Sequence, residues 1–261
     1  MRPFEIRVDE TFPALRQAPV IEAVLEVRGR AEVAWKEDVI TGEFQRRLPE
    51  YPVVESMRGM MTEMRLEPGS ALASRSEDLG WLGLVMLPED RRAAVQFQRD
   101  TFVFSKLAPY PGWDDFVGEG QRLFAVHREV ARPLEMARIG LRFINRIPIQ
   151  GSAVKIEDYL VAAPREPEGL VLPYSGFLHR DTFSVPGHEY GVQITRTIQP
   201  QVVGAGAGGA QFDLILDVDV VSTLPWSGSD SELTHRLSEM RWLKNKAFFG
   251  SLTEQAKTLL T

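Results

Sequence analysis

The sequence contains no cysteine. That absence excludes disulfides, thiolate zinc sites, iron–sulfur ligation and cysteine nucleophiles together. Long apolar runs are missing too. No stretch approaches the roughly 18 residues of a membrane span, and the opening MRPFEIRVDETFPALRQ lacks the apolar core of a secretory signal. A soluble, cytoplasmic protein without a membrane partner is expected. Histidine is scarce: His127, His179, His188 and His235 form no H-E-x-x-H or H-x-H spacing of a metal site. Basic blocks are absent as well. With a net charge of −6 and interspersed signs, the chain has no basic block to release counterions, so no nucleic-acid partner is expected.

Several motif matches fail on context. GAGAGG (204–209) satisfies G-x-G-x-x-G, but a dinucleotide fingerprint needs a strand before the glycines and a helix after them. Here a strand-like segment, QFDLILDVDV, follows, which reads as a hairpin loop. HRD at His179–Asp181 lacks the magnesium-binding Asn five residues on, where Pro186 stands. No G-x-S-x-G elbow marks a serine hydrolase. His179, Asp181, His188 and Glu189 flank one short segment and could meet on a metal, although loop placement argues weakly for it. His127 falls beside an apolar helical stripe, where a hydrogen-bonded core histidine is the expectation.

What is present is a chain of 261 residues, 44% apolar and 25% charged, long enough for a substantial core. APVIEAVLEVRGR (18–30) reads as a strand, with Leu25 and Val27 on one side and Glu22, Val24, Glu26 and Arg28 on the other. A helix over 35–48 follows, with Trp35, Val39, Ile40, Phe44 and Leu48 as its apolar stripe. Strands are expected over 53–66, 80–87 and 92–106, separated by EPGS and PEDR turns. A helix over 112–133 carries Gly118 and Gly120, each costing about 1 kcal/mol against Ala, which predicts close packing on the sheet there. The strand ARIGLRFINRI (137–147) comes next.

The second half predicts a short helix over 154–163, a Pro/Glu-rich loop, strands over 182–200 and 211–222, and two final helices. Ser229 with Glu232, and Ser251 with Glu254, fit the capping-box pattern, and Gly250 should separate the two helices. The fold class is therefore α+β: a mostly antiparallel sheet with helices on one face. Residues 1–150 read β-α-β-β-β-α-β and residues 151–261 read α-β-β-α-α. These two pseudo-related halves should share one continuous sheet.

Even spacing lines the charges of three strands along one face each. The first strand has Glu22, Glu26 and Arg28, the middle one Arg138, Arg142 and Arg146, and the last Asp213, Asp217 and Asp219. One reading is cross-strand ion pairing on a solvated sheet face. A second has the sheet curve into a cleft or tunnel. Arg138, Arg142 and Arg146 would then clamp an anion, while Glu22, Glu26, Asp213, Asp217 and Asp219 hold magnesium. E-x-R at Glu26 and Arg28 resembles the E-x-E-x-K strand of triphosphate-tunnel enzymes, but Glu22 stands four residues from Glu26 instead of two. A third reading makes the face a partner-binding surface. Arg196 shares its strand face with Val192, Ile194 and Ile198, which predicts a bulge or a strand end.

APVIEAVLEVR (18–28), RIGLRFINRI (138–147) and KNKAFFGSLTEQA (244–256), in this order, resemble a sporadically distributed, functionally uncharacterised family of bacterial and archaeal proteins of similar length. NKAFFGSLT is the most specific part. The resemblance implies no reaction and no catalytic residue. Patchy occurrence implies a mobile, toxin–antitoxin or defence-associated setting. Read physically, Lys244 and Lys246 complement a helix dipole, Phe248 and Phe249 anchor the helix end, and Gly250 permits its stop. The leading expectation is a non-enzymatic binding or regulatory protein without a cofactor, working with a protein partner or as a homo-oligomer. The alternative is a metal-dependent phosphohydrolase or nucleotide sensor that uses magnesium.

Overall fold

The computed structural model describes residues 4–31, 34–65, 73–149, 155–165, 167–169, 172, 175–201 and 212–261. The expected EPGS turn and the glycine run at 204–209 lie outside them. Among the described residues, nine strands form one antiparallel sheet. They are β1 (Val20–Arg30), β2 (Val53–Arg65), β3 (Ala73–Leu87), β4 (Ala93–Gln98), β5 (Thr101–Leu107), β6 (Glu135–Ile149), β7 (Leu178–Ser184), β8 (Tyr190–Pro200) and β9 (Phe212–Ser222). The spatial order is β2-β3-β4-β5-β1-β6-β9-β8-β7. The strands of the first 150 residues thus occupy six adjacent positions, and those after residue 150 continue the sheet through the β6–β9 pairing. No helix among the described residues is long and apolar enough to cross a membrane.

Among the described residues, four helices pack against the sheet: α1 (Glu37–Arg47), α2 (Trp113–Ala131), α3 (Asp230–Ser251) and α4 (Glu254–Leu260). Strand alternation decides which face they cover. Leu25, Leu141 and Val220 are register partners in one row, with Phe104 and Val192 at its flanks, and all five are buried. The helices close over this row and its neighbours. Phe44 of α1 stacks on Phe97 at 4.0 Å between ring centres. On α2, Phe116 stacks on Phe104 at 5.5 Å. Leu237, Met240 and Leu243 of α3 are buried against β9 and its neighbours. Each such side chain contributes roughly 1.5–3 kcal/mol of burial. Expected close packing at the helical glycines is found at Gly120 alone: a Cβ there would lie 3.0 Å from Leu25 Cδ2, whereas Gly118 faces open space.

Two expected strands are hairpins. Residues 92–106 split into β4 and β5, because Arg99 and Asp100 make a tight turn that pairs Phe97 with Phe102. The phase of burial gives the turn away: Val95 and Phe97 are buried, then Phe102 and Phe104, so odd positions give way to even ones. Residues 182–200 split at Pro186–Gly187. Gly187 sits at φ +81°, and the Val185 N–H donates to Tyr190 O at 2.9 Å. The first 150 residues therefore run β-α-β-β-β-β-α-β, and three strands follow instead of two.

The helical ends also differ from expectation. The predicted helix over 154–163 reduces to a 3-10 turn at Ile156–Asp158. Ser229 caps α3 by accepting from the Glu232 N–H at 3.3 Å. The Glu232 carboxylate, however, accepts from the Ser227 N–H, which completes only half of a capping box. Gly250 lies inside α3 and Leu252 is extended, so no left-handed stop forms. Thr253, not Ser251, caps α4, accepting from the Ala256 N–H at 3.1 Å. Backbone bonds from Val161 to Ser251 and from Thr253 to Tyr159 fix this junction instead.

Candidate functional site

The charged face lies opposite the helices. β1 buries Ala23, Leu25 and Val27, and that alternation leaves Glu22, Glu26 and Arg28 on the other side. β6 and β9 repeat the pattern, so Arg138, Arg142 and Arg146 share that side with Asp213, Asp217 and Asp219. The ladder of guanidinium groups therefore stands between two strands that carry carboxylates.

Pairing is diagonal. Arg142 is opposite Asp219 in register, yet it reaches Asp217: Nε donates to Oδ1 at 2.9 Å and Nη2 to Oδ2 at 2.7 Å. Arg146, opposite Ile215, forms an ion pair with Asp213 at 3.7 Å. Arg138 is directly opposite Arg28, a like-charge contact that would be unfavourable alone. Glu26 resolves it by accepting from both guanidinium groups. The right-handed twist of the sheet carries a long side chain toward the diagonal neighbour, which accounts for this shared offset.

Asp219 is left out of these pairs. It is half-buried between β6 and β8, and among the described residues no group donates a hydrogen bond to it. Burial raises its carboxyl pKa, while the charges of Arg138 and Arg142 pull it back. Glu22 likewise accepts no hydrogen bond from a described residue. Among the charges of β1, β6 and β9 named above, Arg28, Arg138, Arg142 and Arg146 are committed to carboxylates, and Glu22 and Asp219 are still open. An anion clamp needs guanidinium groups free where the ligand sits, and each predicted clamp residue already pairs with a carboxylate.

For magnesium, several carboxylates must converge on one point. Glu22, Glu26, Asp213, Asp217 and Asp219 are instead spread over two strands with β6 arginines between them. Among the described residues no group of three or more His, Cys, Asp or Glu side chains is arranged to hold a metal ion. His179 lies 3.5 Å from Asp181, whereas the His188 Nε2 sits 3.2 Å from Phe4 O, so those two histidines serve different neighbours.

Arg196 lies on the core face, mid-strand, with unbroken register on both sides. It marks neither a bulge nor a strand end. Its guanidinium is buried and bonds to Ala162 O at 3.1 Å and to Asp181. His127 is 3% exposed, with Nε2 at 2.7 Å from Gln98 O and rings of Phe97, Phe102 and Phe124 around it. It is a core histidine, held neutral because burial depresses its pKa to about 4. Arg180 joins the charged face through β7, opposite Thr195. Beginning the strand at residue 182 left it out, in the HRD match, and the Pro-Gly pair was the signal for a separate strand before it. Searches of family models and of curated proteins find no match to the chain.

Proposed function

We propose that the protein is a non-enzymatic binding and regulatory component that receives a basic segment of a protein partner on the charged sheet face. The observation that carries this reading is Asp219: a half-buried carboxylate, flanked by paired arginines, with no hydrogen bond of its own from a described residue. Keeping a carboxylate partly desolvated and unbonded costs stability. A lysine or arginine arriving from outside would recover that cost as a charge-assisted hydrogen bond. Glu22 offers a second open acceptor, and the paired arginines of β6 hold the neighbouring carboxylates in fixed positions. The net charge of −6 favours encounter with a basic partner. The pairing of Arg138, Arg142 and Arg146 weighs against the phosphohydrolase or nucleotide-sensor reading, which needs those arginines free for phosphate and the carboxylates converging for metal. A regulatory place in a mobile defence or toxin–antitoxin locus is the setting that the resemblance implies.

A thermal-shift panel separates the two readings, because a ligand that binds only the folded state raises its melting temperature. Tetra-arginine peptide should stabilise the wild type and leave Asp219→Asn unchanged. Inorganic polyphosphate, Mg²⁺ and Mn²⁺ should have no effect. Stabilisation by polyphosphate or those metals, without any response to the peptide, would establish the other reading.

A further inference from the structure

On the opposite side of the sheet from the charged face, a cavity of about 570 Å³ lies between the N-terminal segment Val8–Ala18, the turn that precedes α2, and α3. Its volume is in the range that accommodates a small molecule. The outer wall is fastened down. Glu10 accepts from Trp242 Nε1 at 2.9 Å and from Lys246 Nζ at 2.5 Å. Phe12 stacks on Phe249 with 5.6 Å between ring centres, and the Arg16 N–H donates to Leu260 O. These contacts hold the wall against α3 and α4.

Other groups lining the interior take no part in these contacts. Arg241 stands 5.0 Å from the Trp113 ring centre, and Lys244 has its ammonium 4.2 Å from that of Phe143. Among the described residues neither cation has a carboxylate partner or a hydrogen bond. The Tyr110 hydroxyl and the Asn245 amide, which also line the cavity, lack hydrogen-bond partners in the same sense. Two like charges are brought close: the Arg241 charge adds to burial in pushing Lys244 down to about 7. Glu10 is occupied by Trp242 and Lys246, and Asp9 is exposed at the rim. Adjacent cations paired with neither of the lining carboxylates, beside a cavity with aromatic walls, are an arrangement that an anion would stabilise.

We propose that this cavity binds a small amphipathic anion, a carboxylate or phosphate carried on an apolar body of aromatic size. Arg241 and Lys244 hold the anionic head, and Tyr110 and Asn245 donate to its remaining oxygens. The apolar body lies along Trp113 and the Phe12–Phe249 stack. Arg241 supplies a planar donor fork and Lys244 a point charge, so the head is met from two directions. This site is independent of the charged face: its residues come from the N-terminal segment, the turn before α2 and α3, none of which contributes to that face.

Fluorescence titration with anilinonaphthalene sulfonate, an aromatic anion of the proposed class, tests the assignment. The wild type should show one saturable site. Arg241→Ala and Lys244→Met should each weaken it roughly tenfold or more, the worth of one charge-assisted hydrogen bond. Lys257→Met, a cation of α4 outside the cavity, should leave it unchanged. Competition by phenyl phosphate against phenylacetate then identifies which head the site prefers. Absence of a saturable site, or a smaller loss in either cavity variant, would overturn the proposal. Circular dichroism checks that the variants fold. Because Arg241 is exposed, its variant carries the test even if Lys244→Met does not fold.

Discussion

Arg142 grips Asp217 with two parallel hydrogen bonds, at 2.9 and 2.7 Å, although the ladder sets Asp219 opposite it. Asp217 is nearly buried and Arg142 about half exposed, so the two single substitutions should differ. Arg142→Ala leaves a desolvated carboxylate without a donor, while Asp217→Asn leaves an arginine that can turn to water. A double-mutant cycle by chemical denaturation should give a coupling of about 1 kcal/mol, limited by solvent around the guanidinium. A coupling near zero would mean that the diagonal geometry does not order the face.

His127 sets a pH dependence. Its folded pKa is about 4 against 6.5 for an ordinary histidine. Between those values the unfolded chain holds a proton that the folded chain refuses, so stability is fully present above pH 6.5 and declines as pH falls toward 4. The loss should be roughly 3 kcal/mol over that window. Melting curves of His127→Phe should lack this component, whatever its effect at neutral pH.

How much of this was legible in the sequence differs from element to element. The phase of alternation placed Arg138, Arg142 and Arg146 on the face shared with Asp213, Asp217 and Asp219, because a period of two leaves no other choice. Diagonal pairing was not legible, since it depends on sheet twist and not on spacing. The β4–β5 turn was written in the shift from Val95 and Phe97 to Phe102 and Phe104, but no glycine or proline flags it. Arg196 was correctly seen to share the apolar face. Its burial in mid-strand follows from Ala162 and Asp181, which come from elsewhere in the chain and offer it partners. The cavity behind α3 was invisible, because Lys244 alone resembles any cation in the last turns of a helix.

The two glycines of α2 should respond in opposite directions. Gly118→Ala adds a methyl to open space and should stabilise by about 0.5–1 kcal/mol through helix propensity. Gly120→Ala places its methyl 3.0 Å from Leu25 and 3.3 Å from Phe104, both fully buried, and should cost about 1–3 kcal/mol. Urea denaturation of the pair reads both signs in one experiment. Equal effects would show that the α2–sheet interface has slack.

Lys244 should act against stability. Its folded pKa of about 7 lies below the ordinary 10.5, so between those values the unfolded chain binds the extra proton and stability rises with pH. Tyr51, Tyr110 and Tyr190, all raised by burial, oppose this above pH 10, so the slope is best read from pH 7 to 10 as a difference between proteins. Lys244→Met should melt higher than the wild type at pH 7, with the gap narrowing as pH rises. A constant gap would show that the ammonium is not desolvated.

In the proposed function, Asp219 receives a cation from a partner. Isothermal titration of tetra-arginine peptide into the wild type and Asp219→Asn, at low ionic strength where exposed charge is least screened, tests it most directly. Binding to the wild type should be saturable and weakened roughly tenfold or more in the variant, and the free variant should melt at or above the temperature of the wild type. Equal affinity for the two proteins, or a variant destabilised by the loss of the charge, would contradict it.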